Sequence, residues 1–232
     1  KTSWINEQTL TWRKQVASKH FLGVLVGNTL QSNTETLTAA QGSGFPNNSY
    51  KLISSAATRT SSQTWTRNNL ASFFSRIDYN YDGRYYLEGS LRADGSSKFG
   101  DNVKWGYFPS ISGSWRLKEE NFLKQVRGIS DLKLRVSYGV TGNQSGISNF
   151  AAKGLWSGGT GYPDNSSGDQ PGTSPLQLPN QDLQWERTSQ TNVGIDLGLF
   201  NGRVNLTADV YRKYTNNLLL QLPKAGVTGF SS

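Results

Sequence analysis

Apolar and polar residues alternate with a period of two along most of this chain. Tyr85, Leu87, Gly89, Leu91 and Ala93 share one face, and Tyr86, Glu88, Ser90, Arg92 and Asp94 share the other. From Leu132 the pattern repeats, with Leu134, Val136, Tyr138 and Val140 set against Lys133, Arg135, Ser137, Gly139 and Thr141. It returns at 105–117, 191–199 and 203–211. Side chains of extended backbone point to opposite faces in turn, so strict alternation predicts strands with one apolar and one polar face. Eight strands are expected, over 4–16, 20–31, 69–81, 85–94, 105–117, 132–142, 184–199 and 203–214. The first two alternate least well.

The connections sort by length. Ala17-Ser18-Lys19, Asp82-Gly83-Arg84 and Asn201-Gly202 are short, whereas 32–68, 95–104 and 143–183 are long. Asp-Gly and Asn-Gly supply the positive φ of tight hairpins. Between these extremes, 118–131 suits a short helical turn on the short-turn side. Short turns at one end and long loops at the other are the habit of outer-membrane barrels, and a soluble sandwich does not sort its loops so consistently. Most of the expected strands reach the roughly 9–11 residues that a tilted strand needs to cross a bilayer. Aromatic residues fall at two heights, Tyr79, Tyr81, Tyr85 and Phe200 beside short turns and Trp105, Tyr107 and Tyr214 near long loops, as interfacial girdles require.

Composition narrows the choice. Only 34% of the 232 residues are hydrophobic and mean hydropathy is -0.57, low for a closed soluble core. No run approaches 18 apolar residues, so the membrane option left is a β-barrel, whose strands carry half an apolar face each. The chain has no Cys and therefore no disulfide framework. The net charge is +8, but the basic residues are scattered singly, which argues against nucleic acid as a partner. Lys1 begins no signal-peptide pattern.

Chemistry-bearing motifs dissolve on inspection. Asp78-x-Asn80-x-Asp82-Gly83 opens like a calcium-binding loop, yet its twelfth position is Gly89 and the segment alternates as a strand ending in a turn. Gly95 to Gly100 lacks P-loop spacing and reads as a hairpin loop. His20 is the only His, so no His-based metal site or catalytic triad can be built; it reads as a strand cap near a short turn. Asn47-Asn48-Ser49, Asn143-Gln144-Ser145, Asn165-Ser166-Ser167 and Asn205-Leu206-Thr207 have the shape of glycosylation sequons, a chance match in an Asn- and Ser-rich chain. Asp94 and Asp101 flank a loop, without the geometry of an acid–base pair. No metal, cofactor or enzymatic activity is expected.

Residues 73–117 contain Arg76-x-Asp78-Tyr79-x-Tyr81-x-x-Arg84-Tyr85, then Arg92-x-Asp94-Gly95-Ser96-Ser97-x-Phe99-Gly100, then Lys104-Trp105-Gly106-x-Phe108-Pro109-Ser110-x-Ser112. LKLRVSYGVTGNQ at 132–144 and the long stretch from Leu183 to Leu220 follow in order, with Gln221-Leu222-Pro223 and Thr228-Gly229-Phe230 beyond. Together these resemble the SusC/RagA family of TonB-dependent transporters of Bacteroidota. The resemblance is close over 70–232, looser over 1–31, and treats 32–69 as a variable loop.

What the resemblance implies is an all-β piece, about eight antiparallel strands, of a large transmembrane barrel in the bacterial outer membrane. Family members are roughly four times this length and enclose an N-terminal plug in a 22-stranded barrel. The whole of 1–232 is therefore expected to be partial barrel, with plug, TonB box and last strands lying elsewhere. The implied function is TonB-dependent import of oligosaccharides or peptides, beneath a SusD-like surface lipoprotein and in contact with outer-membrane lipid. Arg76, Asp78, Glu88, Arg92, Asp94, Lys133, Arg135, Asp196 and Asp209 would face the lumen, forming salt bridges to the plug or between strands rather than a substrate path. Phe45, Tyr50, Trp65, Trp156 and Tyr162, all placed on long loops, are the candidates for stacking on sugar rings or lining a partner surface. The segment 154–175 reads as a mobile recognition loop. A passive surface or adhesion barrel, or a carbohydrate-binding β-domain, would explain alternation and loop aromatics but neither the sorted loop lengths nor the ordered motifs.

Overall fold

The computed structural model describes residues 1–162 and 170–220. Ten strands form in chain order: β1 (Thr2–Ala17), β2 (His20–Ser43), β3 (Thr58–Tyr81), β4 (Tyr85–Ser96), β5 (Trp105–Arg116), β6 (Ile129–Asn143), β7 (Leu155–Tyr162), β8 (Gln170–Gln177), β9 (Glu186–Leu199) and β10 (Val204–Asn216). Eight make one sheet in the order β1-β2-β3-β4-β5-β6-β9-β10, and every neighbouring pair is antiparallel. These are the eight strands that the alternation marks. The β7–β8 hairpin stands apart as its own two-stranded sheet.

The turns explain the register. Asp82 and Gly83 both take positive φ, 54° and 66°, and the Arg84 N–H donates to the Tyr81 carbonyl at 2.9 Å. Positive φ at these two positions closes a tight turn within the three-residue loop 82–84 between paired Tyr81 and Tyr85. Lys19 and Arg84 hold the Asp82 carboxylate at 3.1 and 3.2 Å. The β9–β10 turn differs from the expected two-residue Asn201-Gly202 loop. Phe200, Asn201 and Gly202 all have positive φ and the loop has four residues, Phe200 to Arg203, because the Phe200 N–H is drawn to the Gly128 carbonyl at 2.9 Å. Between β5 and β6, single helical turns at Leu117–Glu119 and Asn121–Lys124 replace a tight turn.

Two expectations about the other end are corrected. The segment 32–68 is not one long loop: β2 and β3 stay paired without interruption from His20↔Tyr81 to Ser43↔Thr58, leaving only 44–57 as connection. Thr34, Thr36, Thr38, Thr60, Thr64 and Thr66 are β-branched and suit strands, but this ribbon is exposed on both faces and needs no apolar side. The segment 154–175 is not a structureless loop either, since β7 and β8 pair from Leu155↔Gln177 to Tyr162↔Gln170. Gln177 anchors the hairpin base, its side-chain amide donating to the carbonyls of Phe150, Ala151 and Lys153.

The sheet covers neither of its faces. Val136, Val193 and Val210 line up in register on one side, as do Leu134, Ile195 and Ala208. Val210 is 77% exposed, and Val136, Val193, Ile195 and Leu206 around it are exposed as well. An apolar face this wide would aggregate in water, and it has the character of the outward band of a membrane barrel. No described helix is long and apolar enough to cross a membrane.

Candidate functional site

The nine charged residues expected on one wall do share one face. Asp78 opposes Glu88, Lys133 opposes Asp196, and Arg135 and Asp209 both oppose Gly194, so the register alone puts them on the side away from the valine row. Three clusters form there. In the first, the Arg135 Nε donates to Asp196 at 2.8 Å, one terminal nitrogen donates to Asp196 at 3.0 Å, and Asp209 lies 3.2 Å away. In the second, the Arg92 Nε donates to both oxygens of Asp94 at 2.7 and 2.8 Å and a terminal nitrogen donates to the fully buried Ser72 hydroxyl at 3.0 Å. The third is looser, with Arg76 and Asp78 separated by 3.9 Å.

Glycine makes room for all three. A β-carbon at Gly194 would overlap both Asp209 and Arg135, so the bridge spans β9 only because that side chain is missing. The Phe74 ring lies over Gly27, with the Arg92 guanidinium 5.8 Å above the ring centroid. Asp78 lies over Gly23, which lets its carboxylate turn away from Glu88, a like charge directly across the ladder. Long polar side chains therefore lie flat along this face instead of standing off it. A shallow groove remains between Ser112, Ser114, Lys133, Arg135, Ser137 and Asn192.

At the long-loop end β5 and β6 part company. Their pairing stops at Ser110↔Gly139, while β6 and β9 continue to Asn143↔Glu186. Phe99, Phe108 and Trp185, exposed by only 2%, 6% and 5%, fill the gap. The Phe108 ring occupies the space above Gly106 and Gly142, and the Trp185 indole N–H donates to the Lys104 carbonyl at 2.9 Å. This aromatic knot, with Leu70, Val140, Ile147, Leu183 and Leu219 packed against it, was not anticipated. Its signal lay in the motifs, because Phe99 and Phe108 belong to two of the quoted stretches and Trp185 to a third. Asn68 to Asn149, Ser96 to Gln144 and Lys98 to the Ile147 carbonyl then tie the following segment down.

The five aromatic candidates are not brought together. Phe45 and Tyr50 sit in the 44–57 connection, as expected. Trp65 belongs to β3, stacked 6.3 Å from Phe150, and Trp156 and Tyr162 belong to β7, so these three are on strands rather than loops. Trp156 is 69% exposed. The sequon-shaped Asn165-Ser166-Ser167 and the motif residues beyond 220 lie outside the described residues. His20 bonds the Tyr79 hydroxyl through Nδ1 at 2.6 Å, and no described cluster of three His, Cys, Asp or Glu residues stands ready for a metal ion.

The family model for the β-barrel of TonB-dependent receptor-like proteins matches residues 2–231. The chain belongs to the TonB-dependent receptor β-barrel family. The TonB-dependent receptor P39 of Formosa agariphila is 38% identical over 230 residues, which are 98% of this chain and 22% of that protein. The TonB-dependent receptor SusC of Bacteroides thetaiotaomicron is 42% identical over 155 residues, 66% of this chain and 16% of SusC. Among solved structures, the RagAB peptide transporter superposes with a TM-score of 0.88 at 30% identity, covering 99% of this chain and 25% of that one. Likeness to P39 thus runs through 1–31 and 32–69, where the motifs alone were weak. The chain spans about a fifth of the length of these TonB-dependent receptors, and its eight strands are an arc of such a barrel.

Proposed function

We propose that this chain is barrel wall of an outer-membrane importer that takes up nutrients in a TonB-dependent way, with a SusD-like lipoprotein at its surface. The observation that carries the reading is the division of one eight-stranded sheet into an uncovered apolar face and a face of paired charges, on a fold shared with the RagAB peptide transporter. The apolar face meets lipid. The charged face lines the interior, where the flat-lying side chains leave space for a plug carried elsewhere in the protein. Substrate, an oligosaccharide or a peptide, meets the long-loop end first, since that end holds the exposed aromatics Tyr50, Trp65 and Trp156.

The test is deletion of the complete gene, followed by growth on peptides or on oligosaccharides as sole nutrient. Growth on one class should fail, failure should be reproduced by removing TonB, and a lipoprotein should copurify with the intact protein. Unchanged growth on both classes would point instead to a passive surface barrel.

A further inference from the structure

The register sorts the strand charges by face. Glu7, Glu35, Asp78, Glu88, Asp94, Asp131, Glu186, Asp196 and Asp209 all fall on the polar side. The apolar side of the eight-stranded sheet carries Lys14, Arg59, Arg67, Arg187 and Arg212, and no carboxylate. Lys14 lies near a short turn, while the four arginines lie toward the long loops. An apolar face whose charges are all positive, with Arg67 placed just above its apolar rows, invites an anion from the lipid itself.

Arg67 has the most developed surroundings. Its Nε donates to the Ser32 hydroxyl and the Asn69 side-chain oxygen, both at 3.3 Å, and Ser32 in turn donates to Asn69 at 2.8 Å. These neutral partners fix the guanidinium without neutralising it, and no described carboxylate pairs with it. Trp4 on β1 and Trp105 on β5 stand on either side, 53% and 45% exposed. Trp105 can lean across β4 because Gly95 has no side chain beneath it, and it stacks on Phe73 at 6.0 Å. Leu30 and Ala71 floor the depression on the side away from the loops. Lys104 lies at its rim, paired with the exposed Asp101.

We propose that this depression holds a phosphorylated lipid of the outer leaflet. The phosphate sits on the terminal nitrogens of Arg67, the two indoles flank the headgroup, and an acyl chain runs over Leu30, Ala71 and Phe73. Guanidinium suits phosphate through paired N–H donors, and tryptophan suits the headgroup depth. The inference rests on the membrane reading above, since only then does this face meet lipid.

Native mass spectrometry of the full-length protein released from detergent tests it, with monophosphoryl lipid A as probe. Wild-type protein should carry the lipid, R67Q should carry about fivefold less, and R67K should recover most of the loss. The same lipid without its phosphate should bind wild-type protein as weakly as R67Q binds the phosphorylated form. Equal occupancy in R67Q and wild type, or equal binding of the phosphate-free lipid, would overturn the proposal. Displacement of the lipid by inorganic phosphate alone would overturn it as well, by showing a free-anion site. Should R67Q fail to assemble, the two lipids on wild-type protein decide the matter. A full-length protein that leaves the membrane without detergent would instead overturn the membrane reading itself.

Discussion

At Gly194 the missing β-carbon lets Arg135 and Asp209 meet across an intervening strand. Gly194→Leu should therefore drive both away, at a cost of about 1–3 kcal/mol from overpacking, read as an earlier loss of heat-resistant gel migration by the full-length barrel. Arg135→Gln should lower the same midpoint, because Asp196 and Asp209 would then face each other without a counter-charge. The opposite face makes a sharper contrast. Val136→Arg, in the middle of the valine row, should cost about 2–4 kcal/mol, whereas Ser137→Arg, one residue on and facing the polar groove, should assemble nearly as wild type. Equal losses for the two arginines would contradict the assignment of faces. The faces were legible from alternation alone, because period two converts position directly into side. The glycine bridges were not, since a glycine in a strand pattern announces close approach without naming what approaches.

Among the elements, the connection between β5 and β6 carries a pH dependence. Glu120 accepts from the Tyr85 hydroxyl at 2.6 Å and the Trp115 indole at 3.1 Å, with Arg84 at 3.7 Å. The hydrogen bond from Tyr85, then that from Trp115, holds its pKa below the ordinary glutamate value. A lowered folded pKa gives stability that is fully present above the unfolded glutamate pKa and is lost as pH falls through the folded one. Glu120→Gln should thus lower the thermal midpoint at neutral pH, and the difference from wild type should shrink to nothing in acid; a constant difference would exclude the carboxylate as cause. One short helical turn was expected in this connection, and two single turns formed. The upper halves of β2 and β3 were missed for a physical reason. Alternation reports a buried face, and a ribbon wet on both sides has none to report. Trp65 was placed on a loop through that same blind spot, and Trp156 and Tyr162 through the Gly- and Ser-rich composition of β7.

As a whole, the sheet has two open ends: among the described residues β1 pairs only with β2, and β10 only with β9. Both strands are exposed along nearly their full length. Residues 1–232 expressed alone should aggregate or require detergent, because unpaired edges and an apolar face both seek partners; a monodisperse, cooperatively melting soluble monomer would refute the arc. The family was readable from ordered motifs, yet the aromatic knot that those motifs build at the parting of β5 and β6 needed three dimensions to see. One further consequence follows from the length of β2 and β3. Each has 24 residues, about 80 Å at the usual rise, and a tilted strand crosses the bilayer in about 9–11 residues. On the proposed membrane reading, about half of the ribbon would therefore stand beyond the hydrocarbon layer, with Arg67 at its edge. Its tip, 44–57, would then be the part of this wall that reaches furthest from the membrane. Among the described residues the tip joins the wall through β2 and β3, so substitutions within 44–57 should leave assembly of the wall below unchanged.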